Sequence, residues 1–205
     1  IYIAGTDTDV GKTAVATAVL RQLVTAGSDC RAYKPVASGI QPGQSDHEQL
    51  WQAAARAADH ALLRPWRFLV ISGKRREALG ELFVQTTLEA EPDTPAAKLD
   101  KTRGTPLRAP TLVTVIAHCS EHPSVPVIEQ QLSAAAAAQN IITAAYALGL
   151  GAMWRTGAMA YADRVREGLG LQGNESIVGF IYLGQPEGTQ KPVPELDISQ
   201  LVTHW

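Results

Sequence analysis

The apolar positions of this chain fall into short runs that alternate between strand and helix periods. Ile1–Ala4 is apolar, closed by Gly5, and reads as a strand. Thr13–Ala26 carries apolar residues at helical spacing and stops at Gly27. Arg31–Ala37 reads as a second strand, with Pro35 near its end. Together these predict a β-loop-α-β unit of about forty residues. Residues 40–44 (IQPGQ) are a turn-rich joint. Ser45, Asp46, His47 and Glu48 then form a capping box. The Ser hydroxyl and the Glu carboxylate, three residues apart, can satisfy free N–H groups at a helix start. The helix it opens is expected to reach about Ala58. Beyond it the pattern predicts a strand over Trp66–Ser72, a helix over Lys74–Glu91 and a polar segment without regular structure over Asp93–Arg108. It then predicts a buried strand over Thr111–Ala117, a long helix over Val127–Leu148 ended by Gly149 and a short strand over Gly151–Trp154. A helix over Ala162–Leu169 and a strand over Ser176–Leu183 complete the series. Past Gly184 the chain is Pro-rich, and no internal repeat is visible.

Composition narrows the classes. With 205 residues, 45% of them apolar and 19% charged, the chain suits one soluble domain or two small ones. The net charge of −2 and the absence of a basic run argue against nucleic-acid and membrane-surface partners. The longest mostly apolar stretch, Ser133–Ala152, is interrupted by Gln139, Asn140 and Thr143, so it reads as a buried helix, not a membrane span. Two cysteines, Cys30 and Cys119, lack CxxC spacing and give neither a disulfide framework nor a metal site, which fits a reducing cytoplasm. The opening lacks the charged-then-apolar order of a signal peptide. Ile1 in place of Met reads as a trimmed or recombined end.

Chemistry enters through two separate sets of motifs. The first is GTDTDVGKT at residues 5–13. A Gly-rich loop that follows a strand and opens a helix aims backbone N–H groups at anionic oxygens. In it Gly11 shapes the loop, Lys12 would reach terminal phosphates and Thr13 would ligate Mg²⁺. The loop is a longer variant of the strict phosphate-loop pattern, since Thr6 stands where that pattern has Gly. This loop and YKPVASG (residues 33–39) resemble the dethiobiotin synthetase family, which closes a cyclic urea with ATP and CO₂. The resemblance implies that Lys34 and Ser38 contact the diamine substrate or its carbamate, and that Asp46 serves as a metal-binding carboxylate beside Thr13. It covers roughly the first 45 residues. The family's later acidic loop, of the form VEGAGG, is absent.

The second set runs in order from about Ser45 to Trp205: RAADH, RPWRF, EQQLSAAAAAQN and MWRTG. Over this span the chain resembles the compact subgroup of the nitroreductase family. The resemblance implies FMN as cofactor, NAD(P)H as co-substrate, a small-molecule acceptor and a homodimer built on the long helix. It places Arg56 and His60 against FMN from the partner subunit. Trp154, Arg155 and Thr156 match an FMN-contact motif usually written WRSG, with Thr keeping the hydroxyl of Ser. Ala144, Ala145, Tyr146, Ala147, Leu148 and Gly149 match a stretch assigned to the nicotinamide nucleotide. The residues fit that chemistry: Arg155 offers a planar fork for a dianionic phosphate, and Ala134–Ala138 permit close helix approach. No Ser-His-Asp or paired-carboxylate set stands out, as expected where a flavin performs the redox step. Plainer readings exist for each residue. Arg56 also reads as an exposed helix residue, His60 as a helix-end residue and Trp154 as core. The family's usual opening helix, ending in an Arg-Arg-Ser grip on the phosphate, is replaced here by the phosphate-loop segment.

The expectation is therefore a chimera: a βαβ phosphate-loop fragment over 1–44, then an FMN-binding domain over 45–205. The second part is expected to be α+β, with an antiparallel or mixed sheet flanked by helices, in a cytoplasmic FMN-dependent oxidoreductase. A dethiobiotin-synthetase-type carboligase, and an inactive chimera with incomplete sites, are the alternatives.

Overall fold

The computed structural model describes residues 46–188 and 195–203. The expected βαβ unit, with Gly11, Lys12, Thr13, Lys34 and Ser38, lies outside the described residues, as do Cys30 and Ser45 of the capping box. Among the described residues four strands make the sheet: Trp66–Ser72 (β1), Thr111–His118 (β2), Gly151–Arg155 (β3) and Glu175–Gly184 (β4). They lie in the order β1-β2-β4-β3, and every pairing is antiparallel. β2 is central, and Leu112–Ala117 is buried without a break. An uninterrupted apolar run is what a strand covered on both faces needs.

Helices supply both covers. On one face lie Asp46–Ala54 (α1) and Val127–Ala147 (α4). There Leu50, Ala54, Ala137, Ile141 and Ala145 pack on Val113, Val115, Ile181 and Leu183. On the other face lie Arg75–Ala90 (α2), Ala158–Tyr161 and Asp163–Gly168, which we number α5 and α6 because Ala96–Arg103 is α3. Leu79, Phe83, Ala160 and Val165 pack there on Ile71, Leu112, Phe180 and Tyr182. This is the expected α+β fold, an antiparallel sheet flanked by helices.

The alanine run of α4 serves this packing. Ala134, Ala137 and Ala138 are fully buried. Small side chains bring α1 close enough for Asn140 Nδ2 to donate to the Ala53 carbonyl at 3.0 Å. Trp51 of α1 stacks on Phe68 of β1, with ring centroids 5.6 Å apart.

Three expectations need correction. Residues 93–108 are not irregular: they form α3 and a 3-10 turn at Thr105–Arg108. This helix lacks an apolar stripe and docks by backbone approach instead. A Cβ on Gly80 of α2 would sit 2.3 Å from the Arg103 carbonyl oxygen, so only glycine lets the two helices meet there. Arg103 then pairs with Glu81 and Asp100, each at 2.6 Å. The helix expected over Ala162–Leu169 is present as Asp163–Gly168, but a further short helix, Ala158–Tyr161, precedes it and is set off from it by the extended Ala162 (φ −75°, ψ 126°). The first helix stops at Ala54, not Ala58. The next amides take tight i−3 bonds, Arg56 N to Ala53 O and Ala57 N to Ala54 O, and the chain leaves through Asp59 in extended conformation.

Candidate functional site

β3 is an edge strand, and its alternation sorts its side chains between the two faces. Trp154 turns toward the α4 side, where it packs half-buried on the core, and its indole N–H points to the Val178 carbonyl at 3.4 Å. That carbonyl is available because β4 bulges there: Val115 pairs with Gly179 and Ile116 with Ile177, leaving Val178 as the extra residue. Gly179 is required below the indole, since a Cβ would lie 2.1 Å from Trp154 Nε1. Trp154 is thus a wall of the core, and it fixes the strand that carries Arg155.

Arg155 and Met153 point to the opposite face. Met153 pairs with Tyr182 of β4 and Arg155 with Phe180. Here an open cavity of about 570 Å³ runs along the sheet edge, with Arg155, Met153, Tyr182 and Arg108 among its walls. Arg108 ends the 3-10 turn before β2, far from Arg155 in sequence. Burial pushes the Tyr182 phenol up, while the positive charges of Arg155 and Arg108 pull it down. Both guanidiniums therefore act on one hydroxyl. Among the described residues neither is in an ion pair, whereas Arg67, Arg103, Arg164 and Arg166 each have a carboxylate partner. Glu187 lines the rim as the cavity's carboxylate. Sequence reading missed Arg108 and Tyr182. A local pattern could not find them, because only the strand order β2-β4-β3 brings them to Arg155.

The rest of the motif continues past β3. Thr156 is exposed, and Gly157 turns the chain with φ +92° into α5. The 144–149 stretch divides in two. Ala144 and Ala145 are core residues. Tyr146, Ala147 and Gly149 are exposed and Leu148 is half-buried. Gly149 also has a structural duty. With φ +75° it closes α4: its N–H donates to Tyr146 O at 3.1 Å, and the Leu150 N–H to Ala145 O at 2.8 Å. That is the Schellman pattern, which favours glycine at this point.

Arg56 and His60 lie elsewhere. His60 Nδ1 is 2.7 Å from Glu129 Oε2 in the first turn of α4. The 144–149 stretch sits at the other end of this 21-residue helix, roughly 25 Å away along its axis. His60 thus stands by the α4-covered face and the cavity on the opposite one, and a single chain does not bring His60 to Arg155. The turn that carries His60 is strained: Ala61, Leu62 and Arg64 have φ of 62°, 55° and 48°. Left-handed backbone without glycine is uncommon and clusters at functional sites. Asp59 holds the turn by accepting the Arg64 N–H at 2.7 Å. Arg56 is half-buried beyond the end of α1. Asp46, matched to a metal-binding carboxylate, is the first residue of α1. Among the described residues no group of three or more His, Cys, Asp or Glu side chains could hold a metal ion, and no helix is long and apolar enough to cross a membrane.

A model of the nitroreductase family matches residues 11–185. The Escherichia coli K12 protein YdjA, whose name places it among NAD(P)H nitroreductases, is 38% identical over 168 residues, 82% of this chain and 88% of its own. The crystal structure of a nitroreductase-like family protein from Bacillus cereus superposes with a TM-score of 0.66 at 20% identity, covering 85% of this chain and 98% of its own. That of NfnB from a Sphigopyxis strain, titled an FMN- and NADPH-dependent nitroreductase, gives 0.63 at 14% identity, covering 85% and 94%. A shorter match agrees with the other resemblance: the dethiobiotin synthetase BioD of Anaeromyxobacter dehalogenans is 42% identical over 69 residues, 33% of this chain and 31% of its own. The extent of the first set of matches decides between the two: this chain belongs to the nitroreductase family.

Proposed function

We propose that the protein is an FMN-dependent oxidoreductase that passes hydride from NAD(P)H to nitroaromatic or quinone-like acceptors, working as a cytoplasmic homodimer with two shared sites. One observation carries the reading. In a chain of this family, Arg155 of the MWRTG motif opens, with no carboxylate partner among the described residues, into the cavity beside β3. The cavity suits the cofactor in size, since such sites typically span about 300–1,000 Å³. Its donor set suits the cofactor in charge, because a phosphate dianion needs cations and the cavity has two. FMN supplies the electron-accepting and electron-donating ring, which no side chain of this fold replaces.

The chain's own residues bind and orient. Arg155 grips the phosphate-bearing ligand, and the Thr156 hydroxyl adds a donor beside it. Tyr146, Ala147 and Gly149 present the exposed end of α4 to the nicotinamide nucleotide. Arg56 and His60 reach the site of the partner subunit, which accounts for their distance from Arg155 in one chain. The dimer has a ready surface. Ile128 and Leu132 are 58% and 61% exposed one turn apart near the start of α4, and Tyr146 is 77% exposed on the same side near its end, with Gln139 and Thr143 exposed between them; exposed large apolar side chains of this kind mark an interface.

Flavin titration tests the reading. The purified protein should quench FMN fluorescence on binding and oxidise NADPH or NADH when a nitroaromatic is added. Arg155→Ala should weaken FMN binding by about 1.5–3 kcal/mol, the scale of a hydrogen bond to a charged group. Equal affinities before and after the substitution would remove Arg155 from the site. A wild-type protein that ignores FMN would remove the function.

The 69-residue match to BioD favours a second reading, an ATP-dependent carboligase, although the chain spans under a third of that relative. The sequence lacks that family's acidic loop, and phosphoryl transfer depends on a fully positioned metal and nucleotide. We expect no Mg·ATP turnover above background. Turnover that vanishes in Lys12→Ala would reverse the ranking of the two readings.

A further inference from the structure

We infer that Glu129 is a positioning residue: it holds the His60 imidazole so that only Nε2 is offered across the dimer seam to the flavin site of the partner subunit. The inference rests on the flavin reading above and adds a residue whose motif marks only the long helix.

The turn that carries His60 is braced on its far side. Asp59 accepts the Arg64 N–H, and the Trp66 N–H donates to the Arg64 carbonyl, both at 2.7 Å. Pro65 between them is fully buried, and its carbonyl accepts the His118 N–H at 3.0 Å. Within this brace Ala61 and Leu62 stay left-handed, with φ of 62° and 55°. Magnitudes decide what the geometry serves. Left-handed residues other than glycine cost more than an exposed ion pair returns, and the side chains of His60 and Glu129 are 56% and 45% exposed. The pair therefore does not offset its own turn. Leu62 does not either, since it stands in solvent and buries no apolar surface within the chain. What the turn achieves is placement: it lays the imidazole on the first turn of α4, 69 residues away in sequence.

The contact also selects a nitrogen. Nδ1 of His60 lies 2.7 Å from Glu129 Oε2. A carboxylate only accepts, so Nδ1 carries the hydrogen and the neutral ring keeps its lone pair on Nε2. Nε2 has no partner among the described residues. The free nitrogen is thus an acceptor for a ligand N–H or O–H, and FMN carries both in its ring imide and its ribityl hydroxyls. Position supplies the last step. Glu129 neighbours Leu132 three residues on, across one helical turn, and directly follows Ile128. Both apolar side chains are exposed. The pair therefore stands at the edge of the surface on which the partner subunit is placed, and a partner covering Ile128 and Leu132 brings its own site to Nε2.

The test is a double-mutant cycle on FMN binding, read by flavin fluorescence quenching, with light scattering on the same samples. Glu129→Ala is expected to weaken FMN binding roughly tenfold, and His60→Ala by at least as much. Once His60 is gone, Glu129→Ala should add less than about twofold, because nothing is left to position. Glu129→Gln keeps a side-chain oxygen acceptor and is expected to recover part of the loss. Losses that multiply in the double variant overturn the proposal, and so does unchanged affinity in Glu129→Ala. A monomeric Glu129→Ala assigns the residue to the interface and overturns it as well. Nitrogen NMR of the imidazole gives a second measurement that needs no flavin. The His60 ring, identified by its loss in His60→Ala, should carry its hydrogen on Nδ1 in the wild type and shift its tautomer balance in Glu129→Ala. A wild-type ring with its hydrogen on Nε2 overturns the proposal. A wild type that is monomeric or binds no FMN overturns the reading beneath and this proposal with it, whereas FMN bound equally by wild type and Glu129→Ala overturns this proposal alone.

Discussion

Replacing Leu132 with Glu is expected to yield a monomer that holds no flavin. Leu132 is 61% exposed on α4, in line with Ile128 and Tyr146. In a two-fold dimer each interface residue is used twice. Burying one Leu side chain is worth about 1.5–3 kcal/mol, so both copies together contribute roughly twice that. Glu removes this and sets two carboxylates against each other in a desolvated seam. Flavin is lost in the same step if Arg56 and His60 reach across the interface, because neither lies by the Arg155 cavity of its own chain. The substitution leaves the core untouched, so the far-UV circular dichroism spectrum should not change. Light scattering with an absorbance detector reads mass and flavin together. A flavin-loaded monomer would refute the shared site, and an intact dimer would move the interface off α4.

The layers of this fold could be read from the sequence wherever burial is complete. β2, β4 and α4 announce themselves because a strand covered on both faces is a solid apolar run, and a helix on a sheet is a periodic one. α3 could not be read that way. It meets α2 through the bare backbone at Gly80, and its charged side chains pair with Glu81 and Glu91. Such packing leaves no apolar period to find. The turn at His60 was hidden for a related reason. Ala61, Leu62 and Arg64 take left-handed backbone without the Gly or Asn that would signal it.

The site divides on the same line. Arg155 was legible because its motif is contiguous. Arg108 was not, since its link to Arg155 passes through the pairing of Met153 with Tyr182 and the contact of Pro110 with Gly184. The partners of His60 illustrate the point again: Glu129 lies on another element, and sequence neighbours gave no hint of it. Gly149 shows the converse, a residue matched to a nucleotide whose conformation is already demanded by the end of α4.

Replacing Glu175 with Gln is expected to cost about 3 kcal/mol at pH 7 and little near pH 2. Glu175 opens β4 and is 3% exposed, yet its carboxylate is ionised. Arg67 donates to it from Nε and Nη2, both at 2.8 Å, and the Gln172 N–H at 2.9 Å. His118 Nδ1 adds a contact at 3.2 Å. Arg67 is the largest cause that holds the carboxyl down to about 2; burial opposes it, and Gln172 and His118 assist. A carboxyl held lower in the folded state than in the unfolded one stabilises the fold above its unfolded value and stops doing so as pH falls through its folded value. The window therefore runs from about pH 4.5 down to about pH 2. A difference of that size corresponds to about 3 kcal/mol. Gln keeps the shape but cannot hold Arg67 by charge. Urea unfolding of both proteins, at fixed protein concentration and with saturating flavin, should show a gap that closes between pH 5 and pH 2. A gap that stays constant across that range would mean the pair acts through packing alone, and that the bidentate contact tying β1 to β4 at this end of the sheet contributes shape instead of charge.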